Sequence, residues 1–388
     1  MSDESTLARL RAHSELVPET ADLELAKRFR ARHVCLSAAR ITAAAQEPQH
    51  AAIVDEAVAW AQRAVGKGGN RKLVAMRAVE RLGVEFARHL MAGIDGWISL
   101  EVDGRLAYKR RQTIERAREL VTQLEEAGVP RDRVLLKIPA TWEGIEAAQT
   151  LRNKSGIGCH MTLVFGMHQL AACAEADADV IAPAIGRITD WHKKKAGVEE
   201  YPPTEDPGVH AATAMQAYLD AHAHRSRLMP CTFRNLDQAL ALSGCHLLAL
   251  PPKLFELLET RTGEPSAVAR PAAPDKFIVD AASFQAMNSA DALSASKLSA
   301  GVKNMSWAVV SQEKQLVDWI EKRQDEAAET STLALFRIWD YDGDGYIDRE
   351  EWSGTEEVFN ALDRDNNGRI SLEEMAIGLG APYKPDSS

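Results

Sequence analysis

The sequence is short of the features that announce a secreted, membrane or cofactor-bound protein. Its five cysteines (Cys35, Cys159, Cys173, Cys231, Cys245) are odd in number and show no CxxC spacing, which argues against a disulfide framework. Several fall inside predicted strands, so reduced, buried thiols in a cytoplasmic protein are expected. No apolar run reaches the roughly 18 residues of a membrane span, and the polar, acidic start Met1-Ser2-Asp3-Glu4-Ser5 has no signal-peptide pattern. No Gly-rich phosphate loop follows the first apolar run, and no histidine has a second ligand at helical metal spacing; His192, His222 and His224 read as surface or packing residues. The net charge is unevenly spread. Of the net −10, residues 331–388 carry −8 (13 Asp+Glu against 5 Lys+Arg), a tail that opposes nucleic-acid binding and favours metal ions.

What is present is a long alternation. In 388 residues, 45% hydrophobic and 26% charged, one large core and a small extra domain can be buried. Eight short apolar, β-rich runs stand near Glu15–Pro18, His33–Ser37, Trp97–Val102, Val134–Ile138, Cys159–Phe165, Val180–Ala182, Arg227–Phe233 and His246–Leu250. Helix-period segments separate most of them, as in Thr113–Gly128, which ends at a glycine with Pro130 just beyond. This predicts a closed (β/α)8 barrel, with an open doubly wound sheet as the alternative. Period-two alternation places His160, Thr162 and Val164 on one face of the fifth run, opposite Met161, Leu163 and Phe165. In the third run Ser99, Glu101 and Asp103 share a face, and in the seventh Thr232 and Arg234 do. Polar side chains on one face of several strands fit a barrel with a chemical mouth.

Lys137 lies in Val134-Leu135-Leu136-Lys137-Ile138, an ammonium among strand-forming aliphatics. Such a charge is costly to bury unless it is paired or loses its proton. A lysine with a lowered pKa is a carbonyl nucleophile and points to Schiff-base chemistry. The other reading is a lysine at a strand end that reaches water or a carboxylate.

The segment Lys137-Ile138-Pro139-Ala140-Thr141-Trp142-Glu143-Gly144 resembles the active-site signature of transaldolases. Blocks at 98–103, 158–165, 182–191 and 232–235 are similar to the same family, and the likeness runs from about residue 7 to about residue 325. The resemblance implies that Lys137 forms an imine with a ketose. It implies that Glu101 and Thr162 move protons through a water. Arg187, Arg234 and Thr232 would hold the sugar phosphate, with Asp190 and Trp191 in support; for either arginine a salt bridge at the barrel rim is the alternative. The sequence also departs from the family. Glu19 stands where transaldolases usually carry an aspartate acid/base near the end of the first strand, one methylene longer. Ser37 replaces an expected asparagine, and His160 occupies a second asparagine position, as a new acid/base or as a packed barrel histidine. Ala182 lies where many members have a serine, and there it is similar to fructose-6-phosphate aldolases.

The tail carries a second, denser pattern. Asp340-Tyr341-Asp342-Gly343-Asp344-Gly345-Tyr346-Ile347-Asp348-Arg349-Glu350-Glu351 fits every position of an EF-hand calcium loop, with oxygen donors from Asp340, Asp342, Asp344, Asp348 and Glu351 and with Tyr346 at the seventh position. Asp363, Asp365, Asn367, Arg369, Ser371 and Glu374 repeat it in Asp363–Glu374. Ile347 and Ile370 should pair in a ribbon between the loops. The loops start 23 residues apart, so one helix of about three turns within Trp352–Leu362 is expected to leave the first loop and enter the second. Five carboxylates against three predict tighter calcium binding in the first loop.

The expected fold class is therefore α/β: a (β/α)8 TIM barrel over 1–325, a charged connector at 326–332 and a small all-α EF-hand pair over 333–388. The expected activity is transfer of a dihydroxyacetone unit between sugar phosphates, in the pentose phosphate pathway, with no cofactor for the chemistry and Ca2+ in the loops. Sugar phosphates and Ca2+ are the expected partners, with no nucleic acid and no membrane; a homodimer is admitted. Two rivals stay open: a Schiff-base aldolase or transferase with an altered donor, and an inactive calcium-binding scaffold.

Overall fold

The computed structural model describes residues 5–66 and 69–382, so the acidic start Met1–Glu4 and the last six residues lie outside the described residues. By internal contacts the chain divides into two units, one running to Gly69 and from Met76 to Glu313, the other comprising Asn70–Ala75 and the chain from Lys314.

In the first unit all eight expected runs are strands: β1 (Glu15–Pro18), β2 (Val34–Cys35), β3 (Ile98–Glu101), β4 (Val134–Pro139), β5 (Gly158–Val164), β6 (Val180–Pro183), β7 (Arg227–Leu228) and β8 (Leu247–Leu250). They pair in parallel and in chain order from β2 to β7, while β1 pairs with β8. Ala249 N donates to Pro230 O beyond β7, and β1 lies against β2, which closes the ring. Sequential order without a reversal excludes the doubly wound sheet.

Local chemistry fixes these elements. Every residue of Val134–Pro139 is buried, as a central parallel strand demands. The helix after it, Trp142–Ser155, starts where Thr141 Oγ1 accepts from Gly144 N at 3.0 Å and stops at Gly156 in the left-handed region. Gly144 must be glycine, because a Cβ there would come within 2.2 Å of Pro139 O. At the N-terminal end of the barrel, Glu15 accepts from Arg227 Nη2 at 2.6 Å and pairs with His33 Nε2 at 2.9 Å, and His33 stacks on Trp97. Those contacts hold the Glu15 carboxyl down at about 2, the His33 bond contributing most.

The alternation expected along β5 holds only as far as Thr162. Leu163 adopts φ 60°, the register with β6 slips between Met161 and Val164, and Leu163 and Phe165 pack in the same cluster as Ala182, Cys231 and Leu135. A bulge re-aims the end of the strand. Asp103 also leaves its expected face: it caps the short turn Gly104–Leu106 and pairs with Arg105 at 2.7 Å.

The helix Ala292–Trp339 is continuous through residues 326–332. Its Leu293, Leu298 and Val302 join the barrel-interior cluster. In the second unit Phe336, Ile347, Phe359, Leu362, Ile370 and Met375 form a separate small core. Ile347 and Ile370 pair across β9 (Tyr346–Ile347) and β10 (Ile370–Ser371), as expected. The helix between the loops is shorter than expected. It runs only over Glu356–Leu362, because Thr355 caps its start and Gly354 lies under the Trp352 ring, where a Cβ would come within 2.6 Å. The first loop therefore exits into a turn.

Candidate active site

Strand register puts three side chains in one row: Glu101 of β3 is opposite Lys137 of β4, which is opposite His160 of β5. Lys137 Nζ lies 3.0 Å from Glu101 Oε1, and Glu101 Oε2 accepts from Ala38 N at 2.9 Å, at the start of the helix Ala38–Ala44. Burial opposes the ammonium, yet the surrounding groups outweigh it and raise the Lys137 pKa above its ordinary value. Cys35 adds to this only as a thiolate, and burial pushes that thiol up to about 11. At neutral pH the charge is thus held by carboxylates, Glu101 foremost. This corrects the lowered pKa expected from the strand alone: the lysine rests paired and charged, not neutral.

Around this row lie the other candidates. Glu19 follows β1, and burial raises its carboxyl, opposed by Lys137 and Arg40. Thr162, two residues along β5 from His160, is buried. Ser37 is the N-cap of Ala38–Ala44, its hydroxyl accepting from Arg40 N at 3.3 Å. His160 is 1% exposed; Ser99 Oγ lies 2.7 Å from its Nδ1, and its Nε2 has no partner among the described residues. Burial, helped by Lys137, holds its pKa well below the ordinary imidazole value.

The arginines gather beyond β6 and β7. Gly186 permits this, since a Cβ there would sit 2.1 Å from Thr232 O. Thr232 takes φ 58° and turns its hydroxyl back to Cys231 O at 2.7 Å. The Arg187 guanidinium lies 5.7 Å over the Phe165 ring and, among the described residues, makes no ion pair; burial, with Arg234 nearby, lowers its pKa. Arg234 forks onto Asp190, with Nη2 2.7 Å from Oδ2, so for this arginine the rim salt bridge is formed.

In each tail loop the first, third and twelfth positions converge: carboxylate oxygens of Asp340, Asp342 and Glu351, and of Asp363, Asp365 and Glu374, lie within 4.8 Å of one another. Backbone donors preset them, Tyr341 N and Asp342 N on Glu351 Oε1, and Arg364 N and Asp365 N on Glu374 Oε1. An all-oxygen set suits a hard cation such as calcium. Asp344 stands apart: its Oδ2 faces Arg369 Nη1 at 3.3 Å. Trp339 and Trp352, flanking the first loop, meet with ring centroids 4.5 Å apart.

A family described as Transaldolase/Fructose-6-phosphate aldolase matches residues 20–316, and EF hand matches 333–353 and 355–377. A transaldolase of Thermosynechococcus vestitus is 41% identical over 380 residues, covering 96% of this chain and 97% of the relative. One of Gloeobacter violaceus is 40% identical, covering 98% and 99%. The chain belongs to the transaldolase family.

The sequence reasoning singled out Glu101 and Lys137, which strand register brings together, and both arginines; it did not single out two residues in contact with this row. Ser99 was visible only as a polar residue on the Glu101 face. Gln312, 3% exposed on the helix Ala292–Trp339, donates to Ala38 O at 3.1 Å, beside the amide that holds Glu101; nothing in its helical neighbourhood marks it.

Proposed function

We propose that this transaldolase-family chain moves a dihydroxyacetone unit from a ketose phosphate, sedoheptulose 7-phosphate or fructose 6-phosphate, to an aldose phosphate through a Schiff base on Lys137. The observation that carries the reading is the buried Lys137–Glu101 pair at 3.0 Å. Glu101 takes the proton of the resting ammonium, and the freed amine adds to the ketose carbonyl. Glu101 and Thr162, through a water, return a proton to the leaving hydroxyl, so that water departs and an iminium remains. The iminium accepts the electron pair of the bond between the α and β carbons beyond the imine carbon while Glu19 takes the proton of the hydroxyl on the departing β carbon, releasing an aldose. The enamine then attacks the acceptor aldehyde, Glu19 returns its proton, and hydrolysis frees Lys137. A raised pKa suits Glu19 to hold that proton between the half-reactions.

Arg187, with Arg234 and Thr232, takes the phosphate; the exposed Arg234–Asp190 pair can open to a dianion, and Arg187, which makes no ion pair among the described residues, is ready for one. Ser37 and His160 line the donor's first carbons. Asp340, Asp342, Asp344, Tyr346, Asp348 and Glu351, and Asp363, Asp365, Asn367, Arg369, Ser371 and Glu374, hold Ca2+, which acts outside the chemistry. The catalytic part spans 1–325, with 326–332 joining it to the calcium part at 333–388. Free, buried cysteines support a reducing, cytoplasmic setting, and no described helix is long and apolar enough to cross a membrane.

Borohydride trapping with each ketose phosphate, read by intact mass on the native chain and on Lys137→Ala, tests this. A three-carbon adduct on the native chain alone is the expected result. A whole-sugar adduct would mean binding without cleavage. The absence of any adduct would turn the assignment to another donor, for which Ala182 and His160 are the altered pocket residues, or to a scaffold without activity.

A further inference from the structure

Ser99 and His160 form a pair inside the barrel; the proposed function places His160 beside the donor's first carbons but gives Ser99 no part. Both side chains are buried, at 0% and 1% exposure, with Ser99 Oγ 2.7 Å from His160 Nδ1. The pair bridges β3 and β5, the strands on either side of Lys137, and His160 stands opposite Lys137 in register. Among the described residues, His160 Nε2 has no partner although it is fully buried. A packed histidine normally has its buried nitrogens satisfied, so an orphaned one beside the reacting lysine asks for a ligand.

A serine hydroxyl has a single proton, and its acceptors here are limited. Across β2 the residue in register with Ser99 is Cys35, which is also within hydrogen-bond reach of the hydroxyl, but its sulfur is the poorer acceptor. Imidazole nitrogen is much the better one, so the hydroxyl proton goes to Nδ1, which then cannot carry a proton of its own. The ring proton must reside on Nε2.

We propose that Ser99 is a positioning residue that fixes His160 as the Nε2–H tautomer and directs this N–H to a hydroxyl oxygen on a donor-sugar carbon next to the imine carbon. No described protein group accepts from this N–H, so a donor with an oxygen at that position pairs it, and the pair selects such donors. A donor lacking it would leave the N–H unpaired and be rejected. This rests on the Lys137 Schiff-base reading, because the imine carbon sets where the oxygen lies.

The test is a double-mutant cycle on the full chain with Ser99→Ala, His160→Asn and the double variant, each assayed for kcat and KM with fructose 6-phosphate. Asparagine also presents an N–H but does not need the serine to set a tautomer. Ser99→Ala is expected to lower kcat/KM by on the order of 10-fold in the native background and by less than about twofold in the His160→Asn background. An equal loss in both backgrounds would mean that Ser99 only packs the barrel, and no loss in the native background would equally overturn the proposal. Nitrogen-15 NMR of ring-labelled histidine, with His160 assigned by its disappearance in His160→Asn, gives a second readout. It should show Nε2 protonated and Nδ1 bare; the reverse assignment sinks the tautomer argument. Borohydride trapping on the native chain separates the two levels, since failure there removes the imine reading, whereas a normal adduct with no coupling in the cycle removes only this one.

Discussion

The barrel row and the tail loops both concentrate carboxylates, and they neutralise them in opposite ways. In the barrel, Glu101 and Glu19 share a built-in cation, Lys137, and buried walls keep the three groups coupled. In the loops, Asp340, Asp342 and Glu351 lean on backbone N–H groups, as do Asp363, Asp365 and Glu374, and the missing positive charge must come from solution. An internal cation makes the barrel sensitive to the fate of one side chain and indifferent to the ionic medium. A borrowed cation makes the loops the reverse. The difference teaches where each region can be perturbed.

Removing the built-in cation should have the largest effect. Lys137→Ala is expected to abolish imine trapping and to lower kcat by on the order of 10⁴-fold or more, measured by coupled assay, while calcium titration of the loops stays as in the native chain. A loss of calcium binding in that variant would break the separation drawn above. The converse perturbation is Glu351→Gln, which takes one of the two bidentate closing carboxylates away. It should weaken calcium binding at the first loop by on the order of 100-fold by calorimetry and leave borohydride trapping unchanged.

Acid probes a third arrangement, at the N-terminal end of the barrel, where carboxylate and cations are both built in but nearer to water. The folded pKa of Glu15 lies at about 2, below the ordinary 4.5, because the carboxylate is bonded to His33 and Arg227. A depressed carboxyl stabilises the fold above its unfolded pKa, and that contribution disappears as pH falls from about 5 toward 2. Because this carboxyl is partly open to water, which screens its contacts, the contribution amounts to about 1–2 kcal/mol. Glu15→Gln should therefore unfold more easily in urea at pH 7, with the difference from the native chain shrinking as pH approaches 2. A constant difference across that range would assign the contact a purely steric role.

The smallest effect is expected at Arg369, the loops' nearest approach to an internal cation. Its pair with Asp344 is half exposed and worth at most about 1 kcal/mol. Arg369→Ala should free Asp344 for the ion and tighten calcium binding at the first loop by a few-fold, seen as a shift of one of the two calorimetric transitions.

The same contrast explains what the sequence disclosed. Loop ligands follow one another at fixed offsets, so Asp340–Glu351 and Asp363–Glu374 could be read position by position. Barrel strands were equally legible as aliphatic runs, down to Lys137 among Val134, Leu135, Leu136 and Ile138. What could not be read depends on neighbours distant in the chain. The partner of Lys137 is Glu101 on the adjacent strand, the bulge at Leu163 has no local glycine to announce it, and the Ser99–His160 bond joins residues 61 apart. The overestimated helix between the loops was different. Ser353-Gly354-Thr355, a breaker followed by a capping residue, was there to be read.

Trp339 and Trp352 stand immediately outside the two ends of the first loop with their rings in contact. Indoles this close couple their electronic transitions, so the circular dichroism of the chain contains a couplet that belongs to the mouth of one twelve-residue loop. The second loop has no tryptophan at either of its ends. A change in that couplet on adding calcium would therefore report on the first loop, without a label and without an assay of the barrel.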